Sequence, residues 1–353
     1  MIVPRSRVRH LGIGDTKAGH PIGKGGRPGF FTGPADVVKD TRVRATRFLV
    51  LVLVVSVFFG ACALYPFRKP KPAPEQSRSQ PEPTITLFDH EKASPTKVKM
   101  ERYLEGVVAA EMDPDWPQEA LKAQAIIART FTLKRMDEGK IEEIHGPGVD
   151  ACTDPQHFQA YDRARVTDRV RRAVQETRGK VVTYQGKPIR AWFHAGSGGR
   201  TALPKEGLEF EEEEIPYIRS IEDSASPEQA WTARFSVAEV KRAASGSGKA
   251  VGEINKVAIG AKGPSGRALT IKLGETEVSA PRLRIALGPD KMRSTFLTGI
   301  TMDGSTVVMK GRGYGHGVGL SQVGAKAMAE DGQSAEDVIK FYYHEIKIEQ
   351  FWD

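Results

Sequence analysis

The period of hydrophobic and polar positions changes along this chain, and the changes divide it. Residues 1–47 are rich in Gly, Pro and Arg and show no hydrophobic period, which predicts disorder. Residues 48–65, FLVLVLVVSVFFGACALY, are apolar almost throughout and carry no charge. Residues 66–95 return to prolines and charges, the composition of a semi-extended spacer. From residue 96 to 353 helical and strand-like stretches alternate irregularly, as in one folded domain. Residues 101–111 read as a helix. Asp115 is placed to cap the next one, with Gln118 three residues on and Pro117 in the first turn. That helix, over about 117–136, has Ala120, Ala123, Ile127 and Phe131 on one stripe and Leu121, Ala125 and Ala128 beside it, a face wide enough to be largely buried. Residues 181–184, 189–193, 269–273 and 306–309 read as strands. Residues 245–249 read as a Gly/Ser loop. Two short helices close the chain near 321–330 and 335–343. Gly332 ends the first, and Ser334 with Asp337 caps the second.

The charge-free run spans about 27 Å as a helix, just enough for a bilayer core. Arg42, Arg44 and Arg47 precede it, which places the tail in the cytoplasm and everything after Tyr65 outside. The basic region is long for a signal peptide and favours a retained anchor. Cleavage, or a lipid on Cys62 after Gly60-Ala61, would leave the rest of the chain outside the cytoplasmic membrane as well.

Composition narrows the function. The 353 residues are 39% hydrophobic and 27% charged, ordinary for a chain that buries a core, which excludes full disorder and a polytopic membrane protein. Two cysteines exclude a disulfide scaffold and a four-cysteine zinc module. Before residue 48, ten Lys or Arg stand against three Asp, so the tail carries +7 of the net +8 and the remainder only +1. A nucleic-acid footprint needs a basic face on a fold, and none is expected here. Anionic lipid is the natural contact for a juxtamembrane basic tail.

Four segments could carry chemistry. Glu111 ends a helix among Val107, Val108, Ala109, Ala110 and Met112. A desolvated carboxyl there would serve as a general acid near neutral pH, although the spacing equally suits a surface glutamate at a helix end. His145, Cys152 and His157 are zinc-capable donors with irregular spacing; a loop with one buried cysteine and two solvated histidines fits them too. In AWFHAGSGGRT, His194 lies three residues before Ser197, but no triad can be assembled around that serine. Small residues at a strand end would instead let a ligand approach the backbone. In GRGYGHGVGLSQ, residues 311–322, glycine recurs at every second position from 311 to 319 around Arg312, Tyr314 and His316. Such a run suits either a tight hairpin or a surface facing a sugar.

Taken in order, these segments resemble the SpoIID/LytB family of bacterial cell-wall proteins. The motifs are AAEM with WPQEALKAQAIIART, then HAGSGGRT, then GRGYGHGVGLSQ with GAKAMA; IPYIRSIED at 215–223, Trp231 and APRLRIALGPDKMRSTF at 280–296 extend the likeness over about residues 98–350. With the mixed element pattern, the resemblance implies one α+β domain after a single N-terminal transmembrane helix. It implies lytic transglycosylation of peptidoglycan on strands stripped of stem peptides, in wall remodelling or sporulation engulfment, with Glu111 as the catalytic glutamate. One carboxyl suffices for such a reaction, and no cofactor is required. Arg129 matches the family's ART and is expected to orient the sugar or Glu111. Tyr161, His194, Ser197, His316, Ser321 and Gln322 fall at family motif positions and are expected to bind substrate. The LytB side of the family implies an alternative, a non-catalytic activator of a cell-wall amidase, and hence an amidase partner. Zinc-binding relatives carry a cysteine directly after the second histidine, where this chain has Phe158. The thiolate lost there leaves His145, Cys152 and His157, a structural zinc site only with water or another donor in the fourth position.

Overall fold

A computed structural model describes residues 80–227, 229–246 and 249–353. The basic tail, the apolar run 48–65 with Cys62, and part of the Gly/Ser loop lie outside the described residues. Among the described residues no helix is long and apolar enough to cross a membrane.

The folded region starts earlier than composition suggests. Strand β1, Thr84–Asp89, pairs antiparallel with β2, Ser94–Lys99, so the spacer expected through residue 95 gives way to structure from residue 84. Alternation within TITLFD sends Ile85 and Leu87 inward, and the prolines just before it mask that pattern. Helix α1, Met100–Glu111, follows at once and buries Tyr103, Leu104, Val107 and Val108. Helix α2 runs Gln118–Glu138 and is buried around much of its circumference over residues 120–132. Its N-cap is Pro117, with extended backbone and no side-chain cap. Asp115 is held away from that role: its N–H, like that of Trp116, turns back to Asp113.

The short β3, Ala151–Cys152, adds parallel to β1. Helix α3, Asp168–Glu176, packs on α1 and α2. Strand β4, Lys180–Tyr184, is followed by β5, Lys187–Pro188, and β6, Phe193–His194. The strand expected over 189–193 is interrupted because the Arg190 N–H donates to the Tyr217 hydroxyl at 2.9 Å instead of to a neighbouring strand.

Residues 230–312 build a second apolar cluster. Strand β7 is Ala230–Ser236, helix α4 Val237–Gly246, β8 Val257–Ile259, β9 Thr270–Leu273, β10 Thr276–Ser279 and α5 Ala280–Leu287; β11, Leu297–Asp303, and β12, Thr306–Arg312, complete it. Their sheets are antiparallel, in the orders β11-β12-β7 and β10-β9-β8. Phe235, Ile271, Leu273, Val278, Leu283, Val307 and Met309 form its centre. The one expected domain thus has two cores.

The chain returns to the helical core through Gly313, Gly315, Gly317 and Gly319, all at positive φ, a conformation costly for any residue with a Cβ. Strand β13, Leu320–Ser321, then lies parallel to β6, with Ser321 opposite His194. Helices α6, Gln322–Glu330, and α7, Ala335–Tyr342, are capped by Ser321 and Ser334; of these the sequence marks Ser334 as a cap. Strand β14, Lys347–Gln350, closes against β4.

Candidate active site

Glu111 is the last residue of α1. Its Oε1 accepts the Ala160 N–H at 2.8 Å, and its Oε2 accepts the Gln322 amide at 3.3 Å. Both donors are neutral, and among the described residues no charged group acts on the carboxyl. Burial pushes it up to about 6, and the two hydrogen bonds offset only part of that rise. The carbonyl end of α1 acts in the same direction, because a negative charge is unfavourable at a helix C-terminus.

Each donor is held by separate packing. Ala160 sits on the loop from residue 151 to 161. There the Gln159 amide donates to Thr132 Oγ1 at 2.9 Å, Asp162 N–H bonds Gly106 O at 3.0 Å, and Tyr161 stacks on Tyr103 with ring centroids 5.6 Å apart. Gln322 opens α6, and its amide also approaches Gln124 Oε1 at 3.5 Å. Gln322 is therefore the expected binding residue that the fold brings to Glu111; the Tyr161 ring lies over Gly106 and Tyr103 instead.

Arg129 is not one of them. It is fully buried; its Nη2 meets Glu101 Oε2 at 2.6 Å, its Nε meets Glu101 Oε1 at 3.0 Å, and it also donates to the carbonyls of Lys180 and Val174. The long α2 carries residue 129 back past the opening turn of α1, so Arg129 meets Glu101 rather than Glu111. Ser197 and Ser321 are likewise buried. Ser197 Oγ accepts the Gly199 N–H at 3.1 Å, and Ser321 Oγ caps α6 through Gly324 N–H at 3.2 Å. His194 and His316 lie together with ring centroids 5.7 Å apart. His194 Nδ1 is 3.2 Å from Val318 O, and His316 Nδ1 accepts the Val318 N–H at 3.1 Å. Burial holds His194 well below the usual histidine range. Burial, with the nearby Arg284 charge, lowers His316 to about 3, so both rings are neutral at pH 7.

The donor atoms of His145, Cys152 and His157 lie within 4.8 Å of one another. His145 Nε2 and His157 Nδ1 are buried without a hydrogen-bond partner among the described residues, as unmetallated ligand atoms would be. His157 Nδ1 is 3.7 Å from an Asp154 carboxylate oxygen. Phe158 turns away from this cluster to pack edge-on against Phe131 at 5.3 Å. The donor set fits zinc with three protein ligands, and its loop is the one that delivers Ala160 to Glu111.

Sequence reasoning missed Ala160 and Gln124. Gln124 left a signal, being polar between the apolar Ala123 and Ala125 of α2. Ala160 acts only through its backbone and leaves none.

The SpoIID family model, described as stage II sporulation protein, matches residues 89–184. Stage II sporulation protein D of Bacillus amyloliquefaciens is 32% identical, over 76% of this chain and 79% of that protein. Its counterpart in Bacillus subtilis strain 168 is 31% identical over the same shares. The amidase enhancer of Bacillus subtilis strain 168 is 28% identical, over 68% of this chain but 39% of its own length. This chain belongs to the SpoIID family.

Proposed function

We propose that the protein is a peptidoglycan lytic transglycosylase with Glu111 as its single acid–base group. The observation that carries this reading is a carboxyl raised to about 6, gripped by two neutral donors and paired with no cation among the described residues. A carboxyl of that kind is protonated in a useful fraction of molecules near neutral pH, yet can accept a proton back once ionised. Glu111 would give its proton to the oxygen bridging MurNAc and GlcNAc as the C1–O bond breaks. The carboxylate would then take the proton of the muramyl C6 hydroxyl, whose oxygen closes on C1 as a 1,6-anhydro ring. Hydrolytic retention or inversion needs a second carboxylate as nucleophile or base, and this reaction does not.

The substrate in this reading is a glycan strand, in wall remodelling or sporulation engulfment. The charge-free run 48–65 supports a domain held outside the cytoplasmic membrane by a single span; reporter fusions on either side of that run test the topology. His145, Cys152 and His157 would hold a zinc ion that braces the 151–161 loop, and the metal takes no part in the chemistry. Metal analysis of the purified protein should find about one zinc per chain, lost in Cys152→Ser.

The central test incubates wild type and Glu111→Gln with glycan strands and identifies the products by mass spectrometry. Anhydro-muramyl ends from wild type alone are the expected result. Reducing ends would mean hydrolysis and overturn the mechanism. Bound but intact strands, with stimulation of an amidase, would favour an activator like the amidase enhancer relative.

A further inference from the structure

Three separated motifs converge on one buried carboxylate that takes no part in the proposed reaction. Asp223 is fully buried. Its Oδ1 accepts the Tyr342 hydroxyl at 3.1 Å, its Oδ2 is buried without a hydrogen-bond partner among the described residues, and Ser197 and Ser321 stand beside the carboxylate. Ser197 comes from the GSGG loop, Asp223 from the SIED segment, Ser321 from the LSQ segment and Tyr342 from α7. Burial pushes the Asp223 carboxyl up, and the surrounding hydroxyls draw it back.

This cluster lies directly under the first turn of α6. A Cβ on Gly324 would collide with the Tyr342 hydroxyl and stand 2.9 Å from Asp223 Oδ1, so only glycine lets the turn settle there. Ser321 Oγ accepts the Gly324 N–H as the helix cap and stands beside Asp223. A negative charge is also favourable at that end of a helix. The residue after Ser321 is Gln322, the amide donor to Glu111.

We infer that Asp223 is a positioning residue: it fixes the first turn of α6 so that Gln322 donates to Glu111. The kinetic part of this inference rests on the transglycosylase reading, whereas the titration of Glu111 does not. Glu111 is faced by the Ala160 N–H, by Gln322 of α6 and by Tyr103 of α1, all uncharged at neutral pH. Asp223 is faced by Ser197, Ser226, Ser321 and Tyr342, likewise uncharged. Loosening Gln322 therefore removes a bond that favours ionised Glu111; the nearby Arg165 guanidinium donates to Ala110 O at 3.4 Å rather than to the carboxylate.

The experiment uses the full-length protein carrying Asp223→Asn, Tyr342→Phe or Gln322→Ala. The Glu111 carboxyl is followed by carbon NMR, assigned with Glu111→Gln, and glycan cleavage is measured against pH. Asp223→Asn and Tyr342→Phe should each move the Glu111 titration upward by about half a unit. They should lower kcat about three- to tenfold with KM little altered. In a Gln322→Ala background Asp223→Asn should add no further shift, because the two act in series. A lowered melting temperature with an unmoved Glu111 titration would overturn the inference, and so would a shift undiminished in the Gln322→Ala background. Should Asp223→Asn fail to fold, Tyr342→Phe decides, since it deletes one hydroxyl and keeps the ring. Shifted titrations in a protein whose wild type cuts no glycan would uphold the positioning role and reject the transglycosylase reading.

Discussion

The two ends of helix α1 each carry a glutamate, and the fold treats them in opposite ways. Glu101, in the first turn, is given the Arg129 guanidinium at 2.6 Å, the Trp352 indole N–H at 2.9 Å and the Gly179 N–H at 3.1 Å. Glu111, ten residues on, is given one backbone N–H and one amide, and sits at the carbonyl end of the helix. A buried carboxylate with a cation and full hydrogen bonding ties elements together. One with neutral donors and no cation remains poised between its two protonation states. Residue type and partial burial are shared; the partners separate a brace from a candidate catalyst.

The comparison is broken most sharply by exchanging which end is damaged. Glu111→Gln should lower glycan cleavage by about 10²–10⁴-fold, the usual contribution of a general acid–base group, with an unchanged circular dichroism spectrum. Activity at that level in the variant would return Glu111 to an ordinary role. Arg129→Met should leave Glu101 buried without its cation and cost about 3–5 kcal/mol in urea unfolding, with Glu101→Met in the same chain recovering much of the loss. If Arg129→Met folds normally yet binds glycan poorly, Arg129 touches substrate after all.

A smaller effect sharpens the contrast through pH. The Glu111 carboxyl is raised in the folded protein from 4.5 to about 6, so the fold prefers the protonated form. Its contribution is fully present below about pH 4.5 and is lost as pH rises through about 6, costing about 2 kcal/mol above that. Glu111→Gln should therefore raise the melting temperature at pH 8 and leave it nearly unchanged at pH 4. The same ionisation should set the alkaline limb of wild-type cleavage near pH 6, falling about tenfold per unit beyond it. The smallest effect expected is that of chelation: if the proposed zinc sits on His145, Cys152 and His157, EDTA should lower the melting temperature without moving that limb.

Much of the fold was readable in order along the chain. The helices around Glu111 and the two closing helices follow from apolar spacing, from Gly332 at the end of one and from the Ser334 cap of the other, signals that act within a few residues. The zinc-capable trio was readable because its members are close in sequence. Strand β1 was hidden by neighbouring prolines, and the break before β6 by a tyrosine hydroxyl from residue 217. The family motifs marked Arg129, Ser197 and Ser321 as important, but motif positions do not say whether a side chain faces a substrate or the interior.

The sequence by itself determined where α1 ends, that a glutamate ends it and that its neighbours are apolar. Only the tertiary structure decided what that glutamate is. Its amide donor lies 211 residues away and its backbone donor 49. The cation that could have neutralised it pairs with Glu101 instead. Helix spacing and capping are short-range effects written into adjacent residues. Desolvation and charge pairing depend on which distant groups the packed chain brings together.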